Sequence, residues 1–151
     1  MVASGVVAVL VVIALRQRPG DVTRSRIEEA VAPTFASLVR VQVSLLDAPP
    51  VDTASLHAFA QCKKVGAAPK EARGAGDWTC DIGWYVPGRR EAVHDTYDLS
   101  VTPDGCYTAT ADATEAHIGG PTVATRSGTP VTNLLYAFDG CFDPSAPTGR
   151  R

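Results

Sequence analysis

Three histidines, four cysteines and sixteen acidic side chains are the groups of this chain best suited to catalysis or ligation. His57, His94 and His117 are the candidates for acid–base chemistry, which needs an imidazole within hydrogen-bond reach of a reacting group. His94 precedes Asp95, but neighbours along a strand point to opposite faces, so the two form no direct dyad. His94 and Asp98 share a face yet stand too far apart along it to bond. Ser55 lies close to His57, without the Gly-x-Ser-x-Gly elbow or oxyanion loop that would make it a nucleophile. His117 falls in a Gly-rich stretch and reads as a surface residue. Carboxylates are plentiful, but only a shared pocket turns two of them into an acid–base pair. No P-loop-type glycine loop is present, and Gly74-Ala-Gly76 is a lone feature. The residues therefore support no catalytic residue, no cofactor and no metal site. A Ca²⁺ site would need an Asp-rich loop with ligand spacing, which is missing.

Cys62, Cys80, Cys106 and Cys141 are even in number and widely spaced, with no CxxC pair. Zinc sites bring ligands in close pairs and thioredoxin-type chemistry needs CxxC, so both are disfavoured. Two structural disulfides are the natural reading. Of the three connectivities, Cys62–Cys80 and Cys106–Cys141 are favoured, the first tying a loop to a strand, the second joining two Asp-Gly-Cys segments.

The 151 residues have room for one domain plus an N-terminal segment. The net charge is only −2, but between Gly74 and Thr125 eight acids face two bases, Arg89 and Arg90. Nucleic-acid binding needs a positive stripe, so a nucleic-acid partner is not expected.

Val2 to Leu15 is an uncharged, Val-rich run followed by Arg16, Arg18 and Pro19-Gly20. As a helix it would span about 21 Å, short of the ~30 Å bilayer core but suited to a signal segment. The expectation is a membrane anchor or uncleaved signal over residues 1–18 and an extracytoplasmic domain over 19–143. A polar tail over 144–151 reads as disordered. The membrane is thus the expected partner through residues 2–15. Arg16 and Arg18 favour a cytoplasmic C-terminal side, and the cysteines outweigh them, because disulfides belong to oxidising compartments.

Ser25-Arg-Ile-Glu28 has capping-box spacing, so a helix from about Arg24 is predicted, with a kink or restart at Pro33. The alternation of Val39, Val41, Val43 and Leu45 also fits a strand; the capped start and the lack of a turn signal before Asp47 favour helix. Ser55 to Cys62 reads as a short helical turn, and Lys63 to Gly76 as a basic loop carrying Lys63, Lys64, Lys70 and Arg73. Trp78, Cys80, Ile82 and Trp84 then share one strand face. Pro87-Gly88-Arg89-Arg90 turns the chain into a second strand, where Val93, Asp95 and Tyr97 alternate with His94, Thr96 and Asp98. Pro103-Asp104-Gly105 turns it into a third at Cys106, and Val131 to Phe138 reads as a fourth. The fold class is α+β: an N-terminal helix, continuing from a membrane segment, on a four-stranded antiparallel sheet with two disulfides.

Several motifs carry a resemblance: Cys62-Lys63, Gly74-Ala-Gly-Asp-Trp78-Thr-Cys80, Val101-Thr-Pro-Asp-Gly-Cys-Tyr107-Thr-Ala109 and Phe138-Asp-Gly-Cys141. Over roughly Phe35 to Asp143 the chain resembles a family of small, membrane-anchored exported proteins of high-GC Gram-positive bacteria. That resemblance implies a compartment and paired cysteines, and no activity. The order of helix and meander also resembles cystatin-like and NTF2-like folds, an analogy without functional content. The expected function is a non-enzymatic, membrane-tethered module binding a protein or envelope component, with Trp84, Tyr85, Tyr97 and Tyr107 as aromatic contacts to test; core packing is the weightier role for each. The alternative is a small-ligand-binding or hydrolytic domain with a pocket between helix and sheet, which a polar cluster containing His94 or His117 would favour.

Overall fold

The computed structural model describes residues 21–68, 72–112 and 117–145. Helix α1 (Arg24–Leu45) and a 3₁₀ turn (Thr53–Leu56) precede strands β1 (Phe59–Lys64), β2 (Gly76–Tyr85), β3 (Ala92–Val101) and β4 (Cys106–Ala111). Short strands β5 (Thr122–Ala124) and β6 (Pro130–Thr132) form a separate hairpin before β7 (Ala137–Cys141). The main sheet is antiparallel throughout and ordered β1-β2-β3-β4-β7.

Helix α1 buries Ile27, Val31, Phe35, Val39 and Gln42, a stripe at three- and four-residue spacing that faces the sheet. Its cap is Thr23, not the Ser25 of the expected capping box: Thr23 is extended, and its hydroxyl accepts from Arg26 N at 3.5 Å. Glu28 is thereby freed for a different task, accepting a hydrogen bond from Cys62 N at 2.8 Å. Pro33 neither breaks nor restarts the helix. It lies on the exposed face of one continuous element, and its carbonyl accepts from the Ser37 hydroxyl at 2.9 Å.

The opposite layer follows period two. Trp78, Cys80, Ile82 and Trp84 on β2 and Tyr97, Leu99 and Val101 on β3 turn inward with Tyr107, Ala109 and Ala111 on β4. Phe35 fills the space between layers, with its ring centre 4.9 Å from Trp84, 6.1 Å from Tyr97 and 6.4 Å from Phe138. The hairpin of β3 and β4 closes at Thr102–Gly105, where Gly105 N donates to Thr102 O at 3.1 Å. Gly105 has φ +87°, and a Cβ there would fall 2.3 Å from Phe142 O, so the turn admits only glycine.

Both disulfides span directly opposed residues on adjacent strands, Cys62 with Cys80 and Cys106 with Cys141. The α+β class, the single helix on an antiparallel sheet and the two disulfides agree with the sequence.

Several expectations need correction. The main sheet has five strands, not four, and a two-stranded hairpin accompanies it. The added strand is β1, which the sequence presents as a helical turn and loop; Phe59-Ala-Gln-Cys-Lys-Lys lacks β-branched residues and forms a strand through its pairing with β2. Val131 to Phe138 is not one strand, because a turn at 133–136 separates β6 from β7. Helix α1 starts at Arg24: its backbone leaves helical geometry at Thr23, and Gly74 N donates to Val22 O at 2.7 Å just before it, while the membrane segment expected ahead of it lies outside the described residues.

Among the described residues no helix is long and apolar enough to cross a membrane. Arg24, Arg26, Glu28, Glu29 and Arg40 all lie within α1. The anchor expected over residues 2–15 and most of the tail expected over 144–151 lie outside the described residues. The membrane partner, the membrane-anchored location and the extracytoplasmic placement that depended on the anchor therefore drop out of the functional reading.

Candidate functional site

Two His–Asp pairs emerge, and neither is the one adjacent in sequence. His94 and Asp95 do point to opposite faces of β3. On the outer face His94 Nδ1 lies 2.9 Å from Asp81 Oδ2 of β2, and its ring meets Phe59 of β1 edge-on with centres 5.3 Å apart. On the inner face Asp95 has a fully buried side chain, and a carboxylate there needs partners for its lone pairs. The stretch after β4 supplies them. His117 N donates to Asp95 Oδ1 at 2.7 Å, Ile118 N donates to Oδ2 at 3.1 Å, and His117 Nδ1 lies 2.9 Å from Oδ1.

The same Nδ1 is 3.0 Å from His94 O. Both neighbours are acceptors, so Nδ1 carries a proton and Nε2 is the nitrogen that titrates. The hydrogen bond to Asp95 and the negative charge behind it raise the His117 pKa above its ordinary value, with Arg89 opposing. His117 lines a cleft of about 450 Å³ at the turn between β2 and β3, together with Arg89, Arg90, Glu91 and His94. Among the described residues no hydroxyl or thiol lines this cleft. The pair can hold or release a proton at Nε2 but has no side-chain nucleophile beside it among the described residues. Ser55 and His57 do not combine either: the Ser55 hydroxyl donates to Asp52 O at 2.7 Å, and the His57 ring lies edge-on to Tyr85.

Of the four aromatic residues singled out as contacts, Trp84, Tyr97 and Tyr107 are buried, and Tyr85 is exposed at 37%. Tyr97 donates its hydroxyl to Leu135 O at 2.8 Å, and burial, with the Asp95 charge adding to it, pushes its phenol far above the ordinary range. Lys64 is not part of a free basic patch. Its ammonium donates to the carbonyls of Arg73, Gly74 and Ala75 at 2.6, 3.2 and 2.8 Å and lies 5.9 Å from the centre of the Trp78 ring.

A second concavity, of about 1080 Å³, runs between α1 and the start of β1. Its walls are mostly small residues: Ala32 and Ala36 from the helix, Ala54 from the 3₁₀ turn, and Ala58 and Ala60 at β1. Glu28 and Glu29 stand on its helix wall, and among the described residues no Lys or Arg lines it. Strand β1 is an edge of the sheet. Cys62 N turns away from β2 to reach Glu28, while Val65 N bonds Asp77 O of β2, so alternate residues face outward. Ala60, two residues before Cys62, presents its N–H and C=O to the groove by that rule.

No metal-ligating cluster occurs among the described residues. No protein-family model, curated protein or solved structure matches this chain. The resemblances to a membrane-anchored exported family and to cystatin-like and NTF2-like folds are therefore corrected, and neither carries weight below.

Sequence reasoning missed the pairing of His117 with Asp95, although half of it was visible. Asp95 falls in the inward register with Val93 and Tyr97, so an acid on the core face was legible. Its partner, twenty-two residues away, was not.

Proposed function

We propose that this domain is a non-enzymatic binding module that receives an extended polypeptide segment, basic at one end, along the groove between α1 and β1. The observation that carries this reading is the groove itself, walled by small side chains beside a strand edge that is open at Ala60. An added strand needs outward backbone groups for affinity and room for its alternate side chains. Ala60 supplies the first, and the alanine walls supply the second. Glu28 and Glu29, with no Lys or Arg among the described lining residues, favour Lys or Arg on the incoming segment. Glu28 also occupies the outward N–H of Cys62, which limits strand addition to the Ala60 end. Packing of Phe35 against Trp84, Tyr97 and Phe138 fills the interlayer space and weighs against a ligand pocket there.

Selection from a displayed random-peptide library on the immobilised domain tests the proposal, followed by amide-shift mapping with one enriched peptide. Enriched sequences should share a Lys or Arg beside a short extended stretch and should shift the amides of 58–60 and the facing turns of α1. Failure to enrich, or shifts confined to other surfaces, would overturn it.

A further inference from the structure

The β2–β3 turn gathers positive charge on an otherwise acidic part of the chain. Arg89 and Arg90 are the only Lys or Arg residues between Gly74 and Thr125, and both line the cleft that His117 faces. Neither guanidinium has a carboxylate partner among the described residues, and both residues are exposed. His94 lines the cleft with them, and its imidazole is turned toward Asp81 on the outer face.

His117 adds a directional element. Its Nδ1 is committed to Asp95 and His94 O, which fixes the ring and aims Nε2 outward. Neutral His117 therefore presents a lone pair to the cleft, and protonated His117 presents an N–H. An anion is repelled by the first and bound by the second. Asp95 is buried behind the ring, with its oxygens occupied by His117 and Ile118, so it orients the imidazole without competing for the ligand.

We propose that this cleft is a pH-gated oxyanion site: Arg89 and Arg90 bind a phosphate- or sulfate-type group, and His117 Nε2 adds a donor once protonated. Planar guanidinium forks match such oxygens, and charge-assisted hydrogen bonds are the stronger kind. The charged groups facing His117 are Asp95 and His94 of β3 and Arg89, Arg90 and Glu91 of the turn. Among the described residues Glu91 is the one acid of the lining, and it favours ligands small enough to engage the arginines alone. This site is separate from the α1–β1 groove, and its test does not depend on that reading.

Sodium sulfate is the probe, because it keeps both charges across the pH range, titrated at constant ionic strength into the whole chain and followed by NMR. Saturable shifts should be confined to Arg89, Arg90 and His117. The apparent affinity should be about ten-fold higher well below the His117 pKa than well above it, the scale of one charged hydrogen bond. By linkage, saturating sulfate should raise the His117 pKa. Arg89→Gln with Arg90→Gln should abolish binding. Both positions are exposed, so the fold should persist, as circular dichroism can verify. His117→Gln should bind at the weaker, high-pH level with no pH dependence. Phenyl phosphate then separates two sources of the group: binding as tight as sulfate marks a phosphate ester as ligand, and loss of binding marks a free ion. Diffuse shifts that follow ionic strength, equal wild-type affinity at both pH extremes, or unchanged binding by the double arginine variant would each overturn the proposal.

Discussion

The two edges of the main sheet are built from the same parts placed on opposite faces. At the β1 edge the disulfide faces inward: Cys62 and Cys80 are 4% and 0% exposed in the core. At the β7 edge Cys106 and Cys141 lie on the outer face, beside Thr108 and Asp139. Each edge also pairs an aromatic residue with a glycine directly opposite. Phe59 covers Gly83 on the outer face, and Tyr107 covers Gly140 on the inner one. An edge strand has half its backbone unpaired, so side chains must fix its register. Each edge holds that register with one covalent clasp and one ring laid over a bare backbone. The comparison separates the effect of a clasp from the effect of where it is buried.

Replacing each cysteine pair by serines should have the largest effect. Loop length alone ranks the β7 disulfide higher, since its separation is 35 residues against 18. Burial ranks them the other way. Cys62→Ser with Cys80→Ser should cost about 3 kcal/mol for the released loop and ~1–3 kcal/mol more for each hydroxyl left in the core. Cys106→Ser with Cys141→Ser should cost about 4 kcal/mol, the loop contribution alone. Urea unfolding of both variants decides the order, and a larger loss at the β7 edge would mean that chain entropy outweighs burial.

The glycines come next. A Cβ at Gly140 would lie 2.5 Å from the Tyr107 hydroxyl oxygen, and Tyr107 is held in the core. Gly140→Ala should therefore cost about 2 kcal/mol, in the range of core overpacking. At Gly83 the clash is with the Phe59 ring, 2.3 Å away, but that ring is half-exposed and has solvent to swing into. Gly83→Ala should cost ~1 kcal/mol or less, and thermal melting of the two variants should show the gap.

A smaller asymmetry lies in the edge backbones. Glu28→Ala removes the acceptor from Cys62 N and should destabilise by about 1–2 kcal/mol, measurable by denaturant titration. Asp139→Ala on exposed β7 should change stability by less than ~0.5 kcal/mol.

The smallest effect belongs to His117 and should leave both edges untouched. Its folded-state pKa is raised, chiefly by the hydrogen bond it donates to Asp95, so the pair's contribution is complete below the ordinary imidazole value. That contribution is lost as pH rises through the raised, folded value. Wild-type melting temperature should fall as pH rises above the ordinary imidazole value, and His117→Gln should lack this step.

Legibility in the sequence followed how local each cause was. The start of α1 near Arg24, the β2–β3–β4 meander and its Gly-containing turns are written in short-range signals, and the structure contains all of them. Strand β1 is not local: Phe59 to Lys64 has no β-branched residue, and its partner lies beyond a loop. The stretch between β4 and β7 was equally opaque. It is fastened by Asn133, whose amide donates to Ile118 O and Gly120 O, and by Gln42, which accepts from Leu134 N of a segment ninety-two residues away. Side chains that satisfy a distant backbone leave no periodicity to read. The same holds at the candidate site, where the register betrayed Asp95 on the core side but nothing announced which nitrogen would come to meet it.

Lys64 gives the molecule a built-in reporter. All three protons of its ammonium are spent on carbonyls of the segment leading into β2, while its neighbour Lys63 is exposed. An amine-reactive label should therefore mark Lys63 at once and Lys64 only in molecules whose 73–75 segment has let go. The ratio of the two labels, read by mass spectrometry, would gauge how firmly the entrance to the longest strand pairing is closed without adding any probe to the chain.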